Sequence, residues 1–253
     1  MGSIALKRIV KDCNQELKIG QIEDWPGAVN GLQVENHGEV TKIAAAVDGT
    51  FATAQMAVEQ GADLMIVHHG LFWNKTHPWT GRRYAFIKFL MDNNLAVYSS
   101  HLPLDVHPIL GNNAQLCHAL GLNRRKPFFM DKGRELGLRA GKRIERTQLM
   151  DNLESVLGAK PTLLPGGPSL CRQIGVVTGG AGAELAIAAR EGVDTFITGE
   201  GPHWTFALAE DLGINVIYGG HYATETFGVK ALAKQLSDRY NVPWTFLDHP
   251  PGL

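Results

Sequence analysis

The sequence predicts an α/β protein of two related lobes with mainly parallel strands, and three observations carry that expectation. First, the stretch from Ile43, IAAAVDGTFATAQMAVEQGADLMIVHHG, lies over the stretch from Ile174, IGVVTGGAGAELAIAAREGVDTFITGEG, without a gap. Eight of 28 positions match: Ile43/Ile174, Gly49/Gly180, Ala52/Ala183, Ala57/Ala188, Gly61/Gly192, Asp63/Asp194, Ile66/Ile197 and Gly70/Gly201. Second, each copy reads as apolar strand, glycine turn, alanine-rich helix, glycine and strand, the order of a βαβ unit whose helices cover a parallel sheet. Third, a further pair of segments follows each copy, AVYSSHLPLD at 96–105 and VIYGGHYATE at 216–225, aligning Tyr98 with Tyr218, His101 with His221 and Asp105 with Glu225.

In chain order, MGSIALKRIVKDCNQEL spreads Lys, Arg, Asp and Glu among apolar residues and reads as an amphipathic helix over about 4–17, not as a signal peptide. A turn-rich stretch, EDWPGAVNGLQVENHG, leads into the first α/β lobe, taken as residues 1–121. Its strand LMIV is expected to end at Val67, because alternation along a strand would send His68 and His69 to opposite faces and Gly70 lets the chain turn. Pro103 makes HLPLD a loop. Residues 122–172 form a connecting α+β segment: RELGLRAG a strand, ERTQLMDNLESVLG a helix with Leu149, Leu153 and Leu157 on its apolar side, KPTLLPGGPS a strand leaving through a loop. The second α/β lobe, 173–253, closes with VPWTFLD.

Composition narrows the function classes. A chain of 253 residues that is 44% hydrophobic suits one large or two small globular domains. A net charge of -1, with no block of five like charges, argues against a broad surface for nucleic-acid phosphates; NRRK at 123–126 reads as a solvated turn. Cys13, Cys117 and Cys171 form no CxxC pair, which points away from a disulfide framework or a thiolate zinc site and towards a reducing cytosol. Leu6 stands where a myristoylation signal has Ser or Thr, and no apolar run approaches the roughly 20 residues that span a bilayer. The expectation is a soluble, cytoplasmic protein.

In open α/β sheets, ligands bind beyond the carboxyl ends of the parallel strands. There the sequence places His68 and His69, His101 and Asp105, Glu200, and His221 with Glu225. If a helix opens near residue 221, His221, Glu225, Val229, Leu232 and Leu236 share one face, so the face that packs into the core presents imidazole and carboxylate at its start. Imidazole and carboxylate without thiolate suit zinc, iron, manganese or nickel. Five or six such side chains, contributed by two related lobes, suit a pair of ions bridged by a carboxylate; such a pair activates water for hydrolysis. His68 and His69, splayed as they leave the strand, are expected on different ions.

Other features rank lower. TGGAG at 178–182 follows a strand and precedes a helix, but lacks the GxGxxG and P-loop patterns and is explained as a tight turn. No GxSxG elbow appears. Glu200, at the repeat position of His69, is a candidate base or a polar strand-end cap. His107 is read as a loop residue near the site. Trp73, Trp79 and Tyr84 either wall a pocket for a planar base or serve the core or a subunit contact. His37, His77, His118, His203 and His249 receive no role.

The segments NGLQVE (30–35), VHHG (67–70), HLPLDVHPILGNNAQL (101–116), ITGE (197–200) and GGHYATE (219–225) resemble the NIF-three-like family, also called GTP cyclohydrolase I type 2 homologues, along nearly the whole chain. The chain is most similar to the short bacterial members. The resemblance implies a two-lobed α/β fold, a dinuclear metal centre between the lobes, and a toroidal homohexamer. It also implies metal ligands at His68, His69, Asp105, His221 and Glu225, with Glu225 bridging and His101 beside the centre. GGHYATE has tyrosine where some relatives carry a second histidine, which leaves the five ligands in place. The leading expectation is a metal-dependent hydrolase of a nucleotide or related heterocycle, with Glu200 or His101 carrying protons. The alternative is a non-catalytic metal-binding or metal-delivery protein, or a ring-shaped scaffold.

Overall fold

A computed structural model describes residues 2–73, 78–131 and 133–252; His77 lies outside the described residues. The chain forms two compact units, Met1–His107 with Gly228–His249, and Pro108–Phe227 with Pro250–Leu253. The first begins with β1 (Ile4–Ala5), α1 (Leu6–Glu16), β2 (Gly31–Val34), β3 (Glu39–Val40), β4 (Ile43–Asp48), α2 (Phe51–Glu59), β5 (Leu64–His69), α3 (Gly81–Asp92), β6 (Ala96–Ser99) and α4 (Leu102–Asp105). The second contains α5 (Asn112–Ala119), β7 (Lys126–Asp131), β8 (Arg134–Glu145), α6 (Arg146–Leu157), β9 (Thr162–Pro165), β10 (Leu170–Val176), α7 (Leu185–Arg190), β11 (Thr195–Thr198), α8 (Thr205–Leu212) and β12 (Asn215–Tyr218). Helix α9 (His221–Tyr240) starts in the second unit, and β13 (Trp244–Phe246) belongs to the first.

Among the described residues the first unit holds a five-stranded sheet, β13-β4-β5-β6-β2. Its first four strands are parallel and β2 runs antiparallel at the edge. Central β5 is buried from Leu64 to Val67, which accounts for its unbroken apolar run. The second unit holds a six-stranded sheet, β7-β8-β10-β11-β12-β9, in which only β10-β11-β12 pair in parallel. The expectation of mainly parallel strands therefore describes the first sheet, while the second is mixed. The difference arises in residues 122–172: they supply β7, β8 and β9, which extend the second sheet antiparallel on both sides. Phe196 and Ile197, adjacent on β11, enter two different apolar clusters, as alternation requires of a sheet covered on both faces. The compact units divide the chain after 107, 227 and 249, whereas the sequence segmentation divides it after 121 and 172. Parallel pairing of β13 with β4 returns the end of the chain to the first sheet.

The internal repeat is visible in strand register. Ile43 pairs with Leu64 and Ile174 with Thr195, the same separation in both copies (64 − 43 = 195 − 174 = 21). The matched aspartates do equivalent work: Asp63 accepts from the amides of Thr41 and Lys42, and Asp194 from those of Arg172 and Gln173. Each carboxylate thus ties the entry of the copy's first strand to the start of its second. The later alignment slips by one residue. Ile66 pairs with Tyr98, but its counterpart Ile197 pairs with Ile217, so Tyr98 and Tyr218 are not equivalent in the ladder. A one-residue shift reverses the face a side chain takes, and the two phenols bond to different helices: Tyr98 to Asn14 of α1, Tyr218 to Thr205 of α8.

Other local expectations change for physical reasons. Helix α1 begins at Leu6, after a short strand. Within HLPLD, Leu102–Asp105 form the four-residue α4, with Pro103 in its first turn, where a missing N–H costs no helical bond. RELGLRAG and TQLMDNLESVL lie in β8 and α6 as expected, and Leu149 and Leu153 are buried. Cys13, Cys117 and Cys171 are free and buried. No helix among the described residues is long and apolar enough to cross a membrane. We expect Asp194→Ala to lower the stability of the folded chain by about 1–3 kcal/mol through loss of the paired amide contacts, read as a lower midpoint in urea; an unchanged midpoint would remove this account of the repeat.

Candidate metal centre

Strand β5 does not stop at Val67. It runs through His69, which pairs with Asp48 at the end of β4. The alternation rule nonetheless does not separate the two imidazoles: the ring centroids of His68 and His69 are 4.8 Å apart at an interplanar angle of 45°. At a sheet's end, side chains lean along the strand direction, so two neighbouring rings can come together beyond the last rung. His101, which follows β6, joins them, with ring centroids 4.9 Å from His68 and 5.6 Å from His69. Ligating atoms of the three residues all lie within 4.8 Å of one another. The turn of α4 then carries Asp105 back over His101, and its Oδ2 stands 3.4 Å from His68 Nε2.

Each of these rings is anchored through its other nitrogen. His68, fully buried, has Nδ1 2.9 Å from the carbonyl oxygen of Ser100; a carbonyl only accepts, so Nδ1 carries the proton. His69 Nδ1 lies 2.8 Å from Asp48 Oδ1, and His101 Nδ1 2.7 Å from Asp24 Oδ1. This arrangement fixes the tautomer and turns Nε2 towards the site, as in metal-binding histidines backed by carboxylates or carbonyls. Asp24 is itself held by Asn30 Nδ2 at 2.8 Å and the amides of Trp25 and Leu102 at 2.7 and 3.1 Å. Burial pushes its pKa up, but these donors and the His101 ring outweigh burial and hold the carboxyl below its ordinary range. Asn30 also accepts from the His101 amide at 2.7 Å, so the turn-rich loop grips both ends of this residue.

The second unit presents a matching group. His221 opens α9, and Glu225 follows one turn later on the same face, its side chain only 3% exposed. Val229, Leu232 and Leu236 continue that face and are buried. His221 Nε2 stands 3.1 Å from Glu225 Oε2, while Nδ1 lies 2.9 Å from Glu200 Oε1. Burial lowers the pKa of His221, but the carboxylates of Glu225 and Glu200 override it and raise the value to about 9. Gly179 makes room for the group: a Cβ there would come within 2.2 Å of Glu225 Oε1, and its φ of +74° is one that L side chains rarely adopt. TGGAG is thereby explained without phosphate, since the amides of Thr178, Gly179, Ala181 and Gly182 already donate to Asn113, Thr224, Thr198 and Glu200.

The donor set fits a divalent ion. Ligand atoms each about 2.0–2.2 Å from one ion sit about 2.8–3.6 Å apart at octahedral or tetrahedral angles, and both the His68–Asp105 and His221–Glu225 pairs have that spacing, at 3.4 and 3.1 Å. The sequence brought forward His68, His69, His101 and Asp105, which assemble in the first unit, and His221, Glu225 and Glu200, which assemble in the second. It missed the anchors Asp48 and Asp24. The signal that could have found Asp48 is a carboxylate at the end of the apolar run IAAAVD, but its place beside His69 is set by the ladder. Asp24 carries no local signal; only the folded loop brings it to a residue 77 positions away. His107 has Nε2 3.5 Å from Glu16 and faces α1.

Comparison with known proteins follows the same lines. A family model described as Duf34/NIF3 (NGG1p interacting factor 3) matches residues 4–251. A curated protein of Deinococcus radiodurans named GTP cyclohydrolase 1 type 2 homolog is 38% identical over 255 residues, covering 100% of this chain and 96% of the relative. One of the same name from Halobacterium salinarum is 41% identical over 247 residues, covering 95% and 96%. The solved structure of TTHA1606 from Thermus thermophilus superposes with a TM-score of 0.90 at 38% identity, over 99% of this chain and 100% of that one. Reduced HcgD from Methanocaldococcus jannaschii, at 24% identity and a TM-score of 0.86 over 98% and 100%, shares the fold.

The Asp24 anchor leads to a measurable result. We expect Asp24→Asn to destabilise the protein by about 1–3 kcal/mol at neutral pH. Because the folded pKa is depressed, this stabilisation is present above the unfolded value of about 3.9 and is lost as pH falls through the folded one. Urea titrations of both proteins at a series of pH values should show their difference shrinking below about pH 4; a gap that stays constant would dissociate Asp24 ionisation from stability.

Proposed function

The chain belongs to the Duf34/NIF3 family, and from that premise we propose that it is a dinuclear metal-dependent hydrolase of a nucleotide or related heterocycle. The observation that carries this reading is the common anchoring of His68, His69, His101 and His221 through Nδ1, with Nε2 of His68 and of His221 set 3.4 and 3.1 Å from the carboxylates of Asp105 and Glu225. The name shared by the curated relatives, GTP cyclohydrolase 1 type 2 homolog, supports the substrate class.

In this reading His68, His69 and Asp105 of the first unit and His221 and Glu225 of the second would hold two divalent ions, Glu225 would serve both, and His68 and His69 would serve different ions. Zinc, iron, manganese and nickel all suit imidazole and carboxylate ligands. The ions, when bound, supply Lewis acidity and lower the pKa of the attacking water. The remaining work belongs to the chain. Asp48, the Ser100 carbonyl and Glu200 hold the rings in one orientation, so that no ligand reorients when substrate arrives. His101, backed by Asp24, offers Nε2 as a proton carrier. Glu200 has a side chain 55% exposed, so it can both hold His221 and exchange protons with solvent. The assembly is taken to be a ring-shaped hexamer, which sedimentation equilibrium tests directly.

The deciding experiment is turnover of GTP and a nucleotide panel by metal-loaded protein, beside a Glu225→Ala variant whose metal content is measured. We expect turnover by the wild type, loss of about 100-fold or more in the variant, and a reduced metal content. Full activity in Glu225→Ala, or absence of turnover across the panel despite two bound ions, would overturn the hydrolase reading.

A further inference from the structure

We propose that Trp73 forms a stacking subsite for a planar heteroaromatic ring, at the rim of the His69–His101 pair. The inference rests on the hydrolase reading for the class of ligand, and on geometry for the residue.

Three exposed aromatic side chains follow β5, and the fold separates them. Trp73 makes T-shaped ring contacts with both imidazoles, its ring centroid 5.0 Å from that of His101 at 80° and 5.9 Å from that of His69 at 61°. Trp79 instead packs on Phe72, with centroids 5.8 Å apart, and with Tyr84 it lines a separate apolar groove beside Val34, Ile87 and Met91. Trp73 is thus the one of the three that touches the candidate ligands.

The chemistry of the site on Trp73 follows from what the indole already uses. Nε1, its single donor, is bound to the carbonyl oxygen of Gly70 at 2.9 Å. An indole has no acceptor and no charge, so it cannot recognise a phosphate or a sugar hydroxyl by a directed bond. What it retains is a π surface, and the residue is 36% exposed. A tryptophan serving only the core would bury that surface, the main source of its stabilisation. The Gly70 bond and the two T-shaped imidazole contacts also set the ring's orientation before any ligand arrives, so stacking a planar ring on it costs little in ordering the protein. Stacking of this kind accepts any nucleobase, because every base has a π face. The ring would then lie beside His69 and His101, while a polar tail, which the indole does not bind, extends elsewhere.

The test uses the metal-loaded full chain and calorimetric titration with GTP, ATP and inorganic triphosphate. Trp73→Leu keeps an apolar side chain and removes the π surface; Trp73→Phe restores a smaller one; Trp79→Ala is the control in the separate groove. We expect Trp73→Leu to weaken GTP and ATP about tenfold, equivalent to about 1.4 kcal/mol, with triphosphate affinity and metal content unchanged. Trp73→Phe should recover most of the loss, and Trp79→Ala should match the wild type. Equal weakening of nucleotides and triphosphate, unchanged nucleotide affinity in Trp73→Leu, no recovery in Trp73→Phe, or nucleotides that bind no better than triphosphate would each overturn the subsite. Turnover separates the two readings: base-dependent binding without hydrolysis defeats the hydrolase and leaves the subsite, whereas hydrolysis of GTP with an unchanged KM in Trp73→Leu does the reverse.

Discussion

A hydrogen-bond acceptor stands against Nδ1 of each of His68, His69, His101 and His221, and the chemistry available to the candidate centre depends on that contact. A free imidazole can turn and can carry its proton on either nitrogen. Pinned through Nδ1 by a carbonyl or a carboxylate, it becomes a directional donor with one remaining nitrogen. The acceptors differ in kind, one backbone carbonyl and three carboxylates, and that difference sets the local charge. His221, placed between Glu200 and Glu225, is held towards its protonated form, so an ion that binds there must displace a proton as well as find its ligands.

The sheets explain how so many anchors come within reach. Parallel strands β4, β5 and β6 end side by side, which lets Asp48 on one strand bond to His69 on the next and lets Ser100, just after β6, bond to His68. The second unit repeats the device with different residues: Glu200 leaves β11 and meets His221 just after β12. Glycine appears where this crowding leaves no room for a side chain. At Gly70 a Cβ would come within 2.3 Å of Gln33 Nε2 and 2.6 Å of Ser99 Oγ, just as one at Gly179 would collide with Glu225.

Periodicity and repetition made much of this legible in advance. The βαβ repeat at Ile43 and Ile174 is readable because matched residues such as Asp63 and Asp194 perform the same local task, and local tasks leave local traces. The helix face His221, Glu225, Val229, Leu232 is readable because a helix fixes which residues are neighbours. Where two rules competed, the reading slipped. Alternation implied that β5 should end before His68, yet rings at the end of a sheet have space to lean together. The Tyr98/Tyr218 match looked like register but was offset by one residue, which only the hydrogen-bonded ladder reveals. The connecting segment, read as separate, became the antiparallel margins of the second sheet, because pairing between distant strands leaves little imprint on either strand alone.

The sequence by itself determined the repeat, the order of most strands and helices, and the set of histidines and carboxylates at strand ends. These follow from periodicity within windows of a few to thirty residues. Tertiary structure decided which nitrogen each imidazole presents, that Asp24 serves His101 and Asp48 serves His69, and that Trp73 reaches the rings while Trp79 packs on Phe72. The reason is range. A helix or strand pattern is written in adjacent residues, whereas an acceptor 77 positions away becomes a partner only when the intervening chain has folded to bring it there.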